Sequence, residues 1–281
     1  MAKTVRPTQQ QEAFLRALVE TSDHLALVAR AGCGKTSTIL MAVDTIIARQ
    51  PMAEIVVCAF NKAIADEVGG KLRAQGHINW RAVQASTLHA MGFGLLKFTF
   101  KPEVDDKKVA KIVDAMAEAC NTDEGQRLYA QYRAQIIALT KMAKQAGFGF
   151  FPDLAIRDVA AWHRLADHYD INGLDDTTEA EAVVEAAQRA YEASLAQTNI
   201  IDFDDMILMP LIKNLRVKFT KDYVFLDEAQ DLSRARQALA RKFIGPRGRM
   251  IIVGDDRQAI YGFSGADAAA LDKIGRAVQQ E

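Results

Sequence analysis

Apolar and polar positions follow two different rhythms along this chain. In its first third, short β-branched apolar runs alternate with stretches whose apolar residues return every three or four positions. The runs Leu25 to Ala29, Glu54 to Phe60 and Arg81 to Ala85 predict strands, and EIVVCAF in the second suits a parallel strand buried on both faces. Between them, helices are predicted over Thr8 to Glu20 with Thr8 as N-cap, Lys35 to about Arg49, Asn61 to Gln75, and Thr87 to Lys97. This βαβαβα order implies a parallel sheet with right-handed crossovers and ligands at the carboxyl ends of its strands. From Phe98 to Asn199 strand signals vanish, and Ala, Glu, Lys and Gln dominate. Helical segments are expected at Lys107 to Cys120, Gly125 to Ala146, Asp153 to Tyr169 and Thr178 to Thr198, with breakers at Gly147-Phe148-Gly149, Pro152 and Asn172-Gly173. The α/β pattern then resumes with a helix at Ile200 to Leu215, a strand at Tyr223 to Leu226 and a last strand at Met250 to Gly254. The expected fold is therefore an α/β domain with a parallel sheet flanked by helices. It is formed by residues 1–98 and 200–281 and interrupted by an all-helical subdomain at 99–199.

Two strand ends carry chemistry. Leu25 to Ala29 runs into Arg30-Ala31-Gly32-Cys33-Gly34-Lys35-Thr36, and a helix follows. Ala31, Gly32, Cys33 and Gly34 are small enough for backbone N–H groups to approach phosphate oxygens. Lys35 adds a charge at the β- and γ-phosphates, and the Thr36 hydroxyl is a Mg²⁺ ligand. The helix N-terminus aims its unpaired amides and dipole at the same anion. Ala29 stands where the usual phosphate-loop pattern has its first glycine, so the loop alone also fits a glycine-rich strand-to-helix turn. The second end is Tyr223 to Leu226 followed by Asp227 and Glu228. Beside a phosphate loop, Asp227 would hold Mg²⁺ and Glu228 would orient and deprotonate an attacking water. Gln230 follows closely. After Gly254, Gln258 is a neutral donor able to sense a γ-phosphate, and Tyr261 and Phe263 are candidate stacking platforms for bases.

Charge and cysteine content narrow the classes. With 35 Lys and Arg against 36 Asp and Glu in 281 residues, there is no global basic signature of nucleic-acid binding. Any such contact must be local; Arg234, Arg236, Arg241, Lys242, Arg247 and Arg249 are one candidate, with a solvated helix face as the commoner explanation of such a cluster. Cys33, Cys58 and Cys120 are widely spaced and suggest reduced thiols. His163 and His168, beside Trp162 and Tyr169, read as surface or core fillers. The N-terminus lacks an apolar leader and no run is long enough to span a bilayer, so a cytoplasmic location is expected, nucleoid-associated or in a viral replication setting.

Together GCGKT (Gly32 to Thr36), LDEAQD (Leu226 to Asp231) and VGDDRQAIYGFSGA (Val253 to Ala266) resemble motifs I, II and III of the UvrD-like superfamily 1A DNA helicases. CAFNKAIADE (Cys58 to Glu67), STLHAMGF (Ser86 to Phe93) and IDFDDMI (Ile201 to Ile207) resemble lesser family segments in the same order. The resemblance covers about residues 6 to 98 and 199 to 272, and Ala29 is then usual. It implies a RecA-like ATP-binding lobe (1A) carrying a helical insertion (1B), with ATP and Mg²⁺ as cofactors and single-stranded DNA or a single-strand/duplex junction as partner. Residue by residue, it implies that Gln10 reads the adenine edge, with Gln11 one register away because PTQQQEAF fits the pattern two ways. Lys35, Thr36, Asp227 and Glu228 keep the roles given above. Gln230 and Gln258 couple the γ-phosphate to the DNA track, and Phe60, Asn61, Lys62, His89, Tyr261 and Phe263 match DNA-contacting positions. Phe263 and Ser264 depart from the Trp and Arg that many members carry.

In such helicases a second RecA-like lobe follows motif III and supplies arginine fingers, whereas here Glu281 leaves room for one helix. The expectation is ATP binding with weak or no turnover by this chain alone, the second lobe being supplied downstream or in trans. Two readings stand: the motor lobe of a helicase that translocates on single-stranded DNA, or a truncated non-catalytic, nucleotide-dependent module that binds DNA or a partner.

Overall fold

A computed structural model of the chain describes residues 6–30, 32–76, 82–168, 177–255 and 276–280, with side chains except at 177–178 and 276–280. The first third follows the predicted order: α1 (Gln9–Glu20), β1 (Leu25–Ala29), α2 (Lys35–Arg49), β2 (Ile55–Cys58), α3 (Lys62–Ala74), β3 (Val83–Ser86) and α4 (Leu88–Thr99). Caps explain the starts. Thr8 accepts from the Gln11 amide while the Gln11 side chain reaches back to the Thr8 amide, a reciprocal capping box, and Asn61 and Thr87 cap α3 and α4.

The middle of the chain contains α5 (Lys108–Glu118), α6 (Asp123–Ala146), α7 (Val159–His168) and α8 (Thr177–Ala196). It is bracketed by β4 (Glu103–Val104) and β5 (Ile200–Ile201), which pair in parallel. That pair corrects the all-helical expectation, and a two-residue bridge is too short for any periodicity to announce. Next come α9 (Phe203–Ile212), β6 (Lys221–Leu226), a single 3₁₀ turn at Ala229–Asp231, α10 (Arg234–Lys242), β7 (Ile244–Gly254) and β8 (Arg276–Gln280). β7 starts six residues before the predicted Met250 because Gly245-Pro246 and Gly248 hide its opening from a β-propensity reading. β8 lies beyond the strand read as the last.

Among the described residues, β1, β2, β3, β6, β7 and β8 form one parallel sheet in the order β3-β2-β6-β7-β1-β8. Alternation along the strands divides the core. Leu25, Leu27, Ile55, Val57, Phe225, Ile251 and Val253 pack on α1, α2 and α3 through Phe14, Leu18, Ile39, Val43 and Val68. Ala26, Val56, Cys58, Val224, Leu226, Met250 and Ile252 face the other way, onto Leu88, Ile207, Leu211, Leu239 and Ala240 of α4, α9 and α10. Every second residue thus serves the opposite layer, and both layers are dry, which is why these strands read as continuous apolar runs.

The helices of 108–196 enclose a core of their own around Trp162, Tyr191, Ile136 and Leu139, joined by Leu96 of α4 and Met206, Leu208 and Met209 of α9. Trp162 is therefore a core residue. At the junction lies a buried ionic quartet. Lys144 Nζ is 2.6 Å from Asp202 Oδ2 and 2.8 Å from Asp205 Oδ1, and Lys108 Nζ is 2.7 Å from Asp205 Oδ2. The two aspartates also cap α9 reciprocally.

Candidate nucleotide site and its nucleic-acid edge

All strands of the main sheet run the same way, so the segments after β1, β2, β3, β6 and β7 emerge at one edge. Only β7 separates β1 from β6, placing their ends about 10 Å apart at the usual strand spacing. A lysine after one can therefore reach an acid after the other.

At the end of β1, Gly34 is left-handed (φ 79°, ψ 32°) and is the N-cap of α2, with no side-chain cap bond. A side chain at this φ would be strained, and a capping hydroxyl would occupy the place where an anion meets the first amides of α2. The open helix start therefore fits a phosphate, with Lys35 and the half-buried Thr36 in its first turn.

At the end of β6 the chain turns at once. The Asp227 amide donates to Cys58 O (3.0 Å). Glu228 is left-handed (φ 50°, ψ 49°), which swings its carboxylate to the loop side instead of the opposite sheet face. Glu228 Oε2 accepts from Lys35 Nζ at 2.5 Å and from Gln230 Nε2 at 2.9 Å. Gln230 Oε1 in turn accepts the Asp255 amide (3.0 Å) just past β7. Gln230 thus ties the end of β6 to the end of β7. Gly254 permits that tie, since a Cβ there would lie 2.5 Å from Gln230 Oε1.

Asp227 is buried, and burial first, then the Glu228 charge, push its carboxyl up to about 6. A site that penalises an uncompensated carboxylate in this way fits a divalent cation, which would reverse the shift. Thr36 and Asp227 are the two residues whose side-chain oxygens could hold such a cation, with phosphate and water filling the remaining positions, the arrangement Mg²⁺ favours.

Gln11, one register from the expected Gln10, reaches this loop. With Thr8 as the cap, Gln11 occupies the third helical position, is 5% exposed and donates from Nε2 to Thr38 Oγ1 (2.9 Å). Its Nε2 lies 3.6 Å from the Cβ position of Gly34, whereas Gln10 is exposed.

Phe60, His89, Asp227 and Arg236 line one small cavity at the strand ends, so two of the expected DNA-contacting residues share it with Asp227. Burial first, then the Arg236 charge, lower the His89 pKa to about 4, so its imidazole is neutral at physiological pH. Asn61 Oδ1 is engaged in capping α3 through the Ile64 amide (2.9 Å), and Lys62 is exposed in the first turn. Residues Ala31, Gln258, Tyr261 and Phe263, also expected here, lie outside the described residues. The sequence reading passed over Phe203, which is 55% exposed and meets His89 edge to face at 6.3 Å. A large apolar residue immediately after a helix cap was the available signal.

The basic cluster expected at 234–249 is dispersed. Arg234 pairs with Asp153, and Lys242 donates to Asn214. Arg249 is buried and donates to Leu18 O, Asp23 O and Thr21 Oγ1, closing the end of α1. Charges close in sequence sit here on different faces of α10 and β7.

Comparison with known proteins decides the lineage. A family model described as the UvrD/REP helicase N-terminal domain matches residues 8–279. The chain belongs to that family. It is 27% identical over 287 aligned residues to an ATP-dependent DNA helicase, UvrD2, of Mycobacterium tuberculosis (strain ATCC 25618 / H37Rv), covering 95% of this chain and 39% of that protein. With DNA helicase IV of Escherichia coli (strain K12) it shares 25% identity over 294 residues, 94% of the chain and 42% of the relative. ATP-dependent DNA helicase Rep of the same strain matches at 36% over 83 residues, 27% of the chain and 12% of Rep. The chain thus spans about two fifths of the longer-matching relatives. The parallel sheet flanked by helices is the architecture expected of this UvrD/REP N-terminal domain, and none of its described helices is long and apolar enough to cross a membrane.

Proposed function

We propose that this chain is the ATP-binding motor lobe of a DNA helicase that moves along single-stranded DNA. The observation that supports the reading is the Lys35–Glu228 contact at 2.5 Å, between the lysine after β1 and the acid after β6. In this reading the α2 amides and Lys35 bind the β- and γ-phosphates, and Gln11 takes the adenine-side role assigned by resemblance to Gln10. Thr36 and Asp227 are the residues that would hold Mg²⁺, which when bound neutralises charge developing on the phosphates. A γ-phosphate competes with Glu228 for Lys35, freeing the carboxylate to accept a proton from the attacking water. Gln230, bonded to both Glu228 and the Asp255 amide, passes that change towards motif III, where Gln258 is its proposed partner.

Phe60, Asn61, Lys62 and His89, with Tyr261 and Phe263, form the proposed DNA edge. Because His89 is neutral, it contributes hydrogen bonding and stacking there, not a salt bridge. The relatives are more than twice as long as this chain, which supports a second RecA-like lobe, in cis or in trans, as the other wall of the cleft. An arginine finger contributes about 10³ to 10⁵ in rate, so turnover by these residues alone is expected to be slow.

The test is ATP hydrolysis with and without single-stranded DNA, beside nucleotide binding. Lys35→Ala is expected to lose saturable nucleotide binding, and Glu228→Gln to retain binding while losing whatever turnover the wild type shows. Turnover undiminished in Glu228→Gln would remove Glu228 as the base. A wild type that binds nucleotide and DNA yet stays inactive when a second lobe is supplied would favour the non-catalytic module.

A further inference from the structure

Away from the nucleotide site, α4 ends in a feature that the ATPase chemistry does not use. Phe93, Gly94, Lys97, Phe98, Lys101 and Pro102 line a groove of about 620 Å³. The Phe98 ring is 76% exposed, and Lys218, from the segment between α9 and β6, lies over it with Nζ 4.2 Å from the centroid. Phe219, next in the chain, is 81% exposed. Lys97 and Lys101 are exposed as well. An exposed aromatic with a cation on it, beside two further lysines, combines a base-stacking surface with charge for a backbone.

Gly94 adds a second observation. A glycine inside a helix costs about 1 kcal/mol relative to alanine and is ordinarily justified by close packing. Gly92, two residues earlier and so on nearly the opposite face of the helix, has that reason, since a Cβ there would lie 1.8 Å from Met206 O. Around a Cβ at Gly94 there is nothing within 4 Å. What its missing side chain leaves is open space one helical turn from Phe98, in the lining of the same groove.

From this juxtaposition we propose that the end of α4 is a second contact for single-stranded DNA, in which a base stacks on Phe98 over Gly94 while Lys97, Lys101 and Lys218 hold the flanking phosphates. It rests on the DNA-binding reading above and extends it. Phe98 lies nine residues beyond His89, about 14 Å along the helix axis, so the two contacts engage one strand only when it is long enough to span them. The charge favours nucleic acid as occupant, because a polyanion with flat apolar faces matches both halves of the patch.

The experiment is fluorescence anisotropy of the 281-residue chain with labelled oligothymidylates of 4, 8 and 16 nucleotides, with Mg²⁺ and a non-hydrolysable ATP analogue. Phe98→Ala and Gly94→Leu, the second filling that space on an unobstructed helix face, are expected to weaken binding of the 16-mer about 5- to 100-fold and of the 4-mer far less. Lys101→Met is expected to reduce the slope of log affinity against log salt by about 0.7. Nucleotide affinity and circular dichroism should match the wild type in all three. If the 16-mer binds Phe98→Ala and Gly94→Leu as tightly as wild type while Phe60→Ala weakens it, the α4 contact is wrong and the DNA edge stands. If the wild-type chain binds no oligonucleotide, the DNA reading fails and this proposal with it. A protein ligand captured by the patch without any effect of Phe98→Ala on DNA would reassign the groove to a protein partner and overturn the proposal.

Discussion

Replacing Lys144 by methionine tests the buried quartet most sharply. Lys144 and Asp205 are completely buried, Lys108 is 1% exposed and Asp202 3%. The group is neutral, two ammoniums against two carboxylates, and three of the four carboxylate oxygens accept a hydrogen bond, while Asp205 Oδ1 has only its ion pair with Lys144. Lys108 Nζ also bonds Ser194 O at 2.8 Å and Gln197 O at 3.0 Å, and the Asp205 amide donates to Asp202 Oδ1 at 2.8 Å. Burial opposes both ammoniums. For Lys144 the two aspartates outweigh it and hold the pKa above the ordinary lysine value, whereas for Lys108 burial wins and lowers it. Methionine approximates the volume of lysine, so Lys144→Met removes charge without opening a large cavity. Two carboxylates are then left to share one ammonium in a dry junction. Breaking one member of such a cluster costs about 3–5 kcal/mol, a fifth or more of a typical domain's stability. Urea denaturation followed by far-ultraviolet circular dichroism and Trp162 fluorescence would read it. The double variant Lys144→Met/Asp202→Asn restores neutrality around the Lys108–Asp205 pair and is expected to be more stable than the single variant. A single variant within about 1 kcal/mol of wild type, or a double variant whose loss is the sum of its parts, would refute the reasoning. Because the folded pKa of Lys144 is raised, its contribution is complete below the unfolded lysine value near 10.4 and is lost as pH rises through the folded value.

Other outcomes can be checked as directly. Gly92→Ala drives a methyl group to within 1.8 Å of Met206 O and should destabilise the α4–α9 contact by about 1–3 kcal/mol, whereas Gly94→Ala, facing open space, should gain up to about 1 kcal/mol. Parallel thermal denaturation distinguishes them. His89 should titrate by NMR with a midpoint about 4. Since that folded value lies below the unfolded one near 6.5, the folded state binds fewer protons, and its contribution to stability is present above pH 6.5 and lost as pH falls through 4. Gly254→Ala should push Gln230 off the Asp255 amide, leaving nucleotide affinity intact while reducing the stimulation of hydrolysis by DNA.

What the sequence determined alone was whatever depends on local order. Doubly buried strands need unbroken apolar runs, so β1, β2 and β6 stood out. The phosphate loop and the Asp227-Glu228 pair occupy contiguous residues, and a parallel sheet obliges them to meet at one edge. Tertiary structure decided what depends on residues distant in the chain or on one helical register. The quartet joins positions 108, 144, 202 and 205, which no spacing rule connects. That Gln11 faces Thr38 follows from the Thr8 cap, since one step along a helix turns a side chain by about 100°. β4 and β5 are too short to carry a period, and Arg249 reads as surface charge until its guanidinium is found against the carbonyls of Leu18 and Asp23. Local periodicity writes secondary structure and motifs into contiguous residues, whereas buried polar partners are chosen only when the layers close.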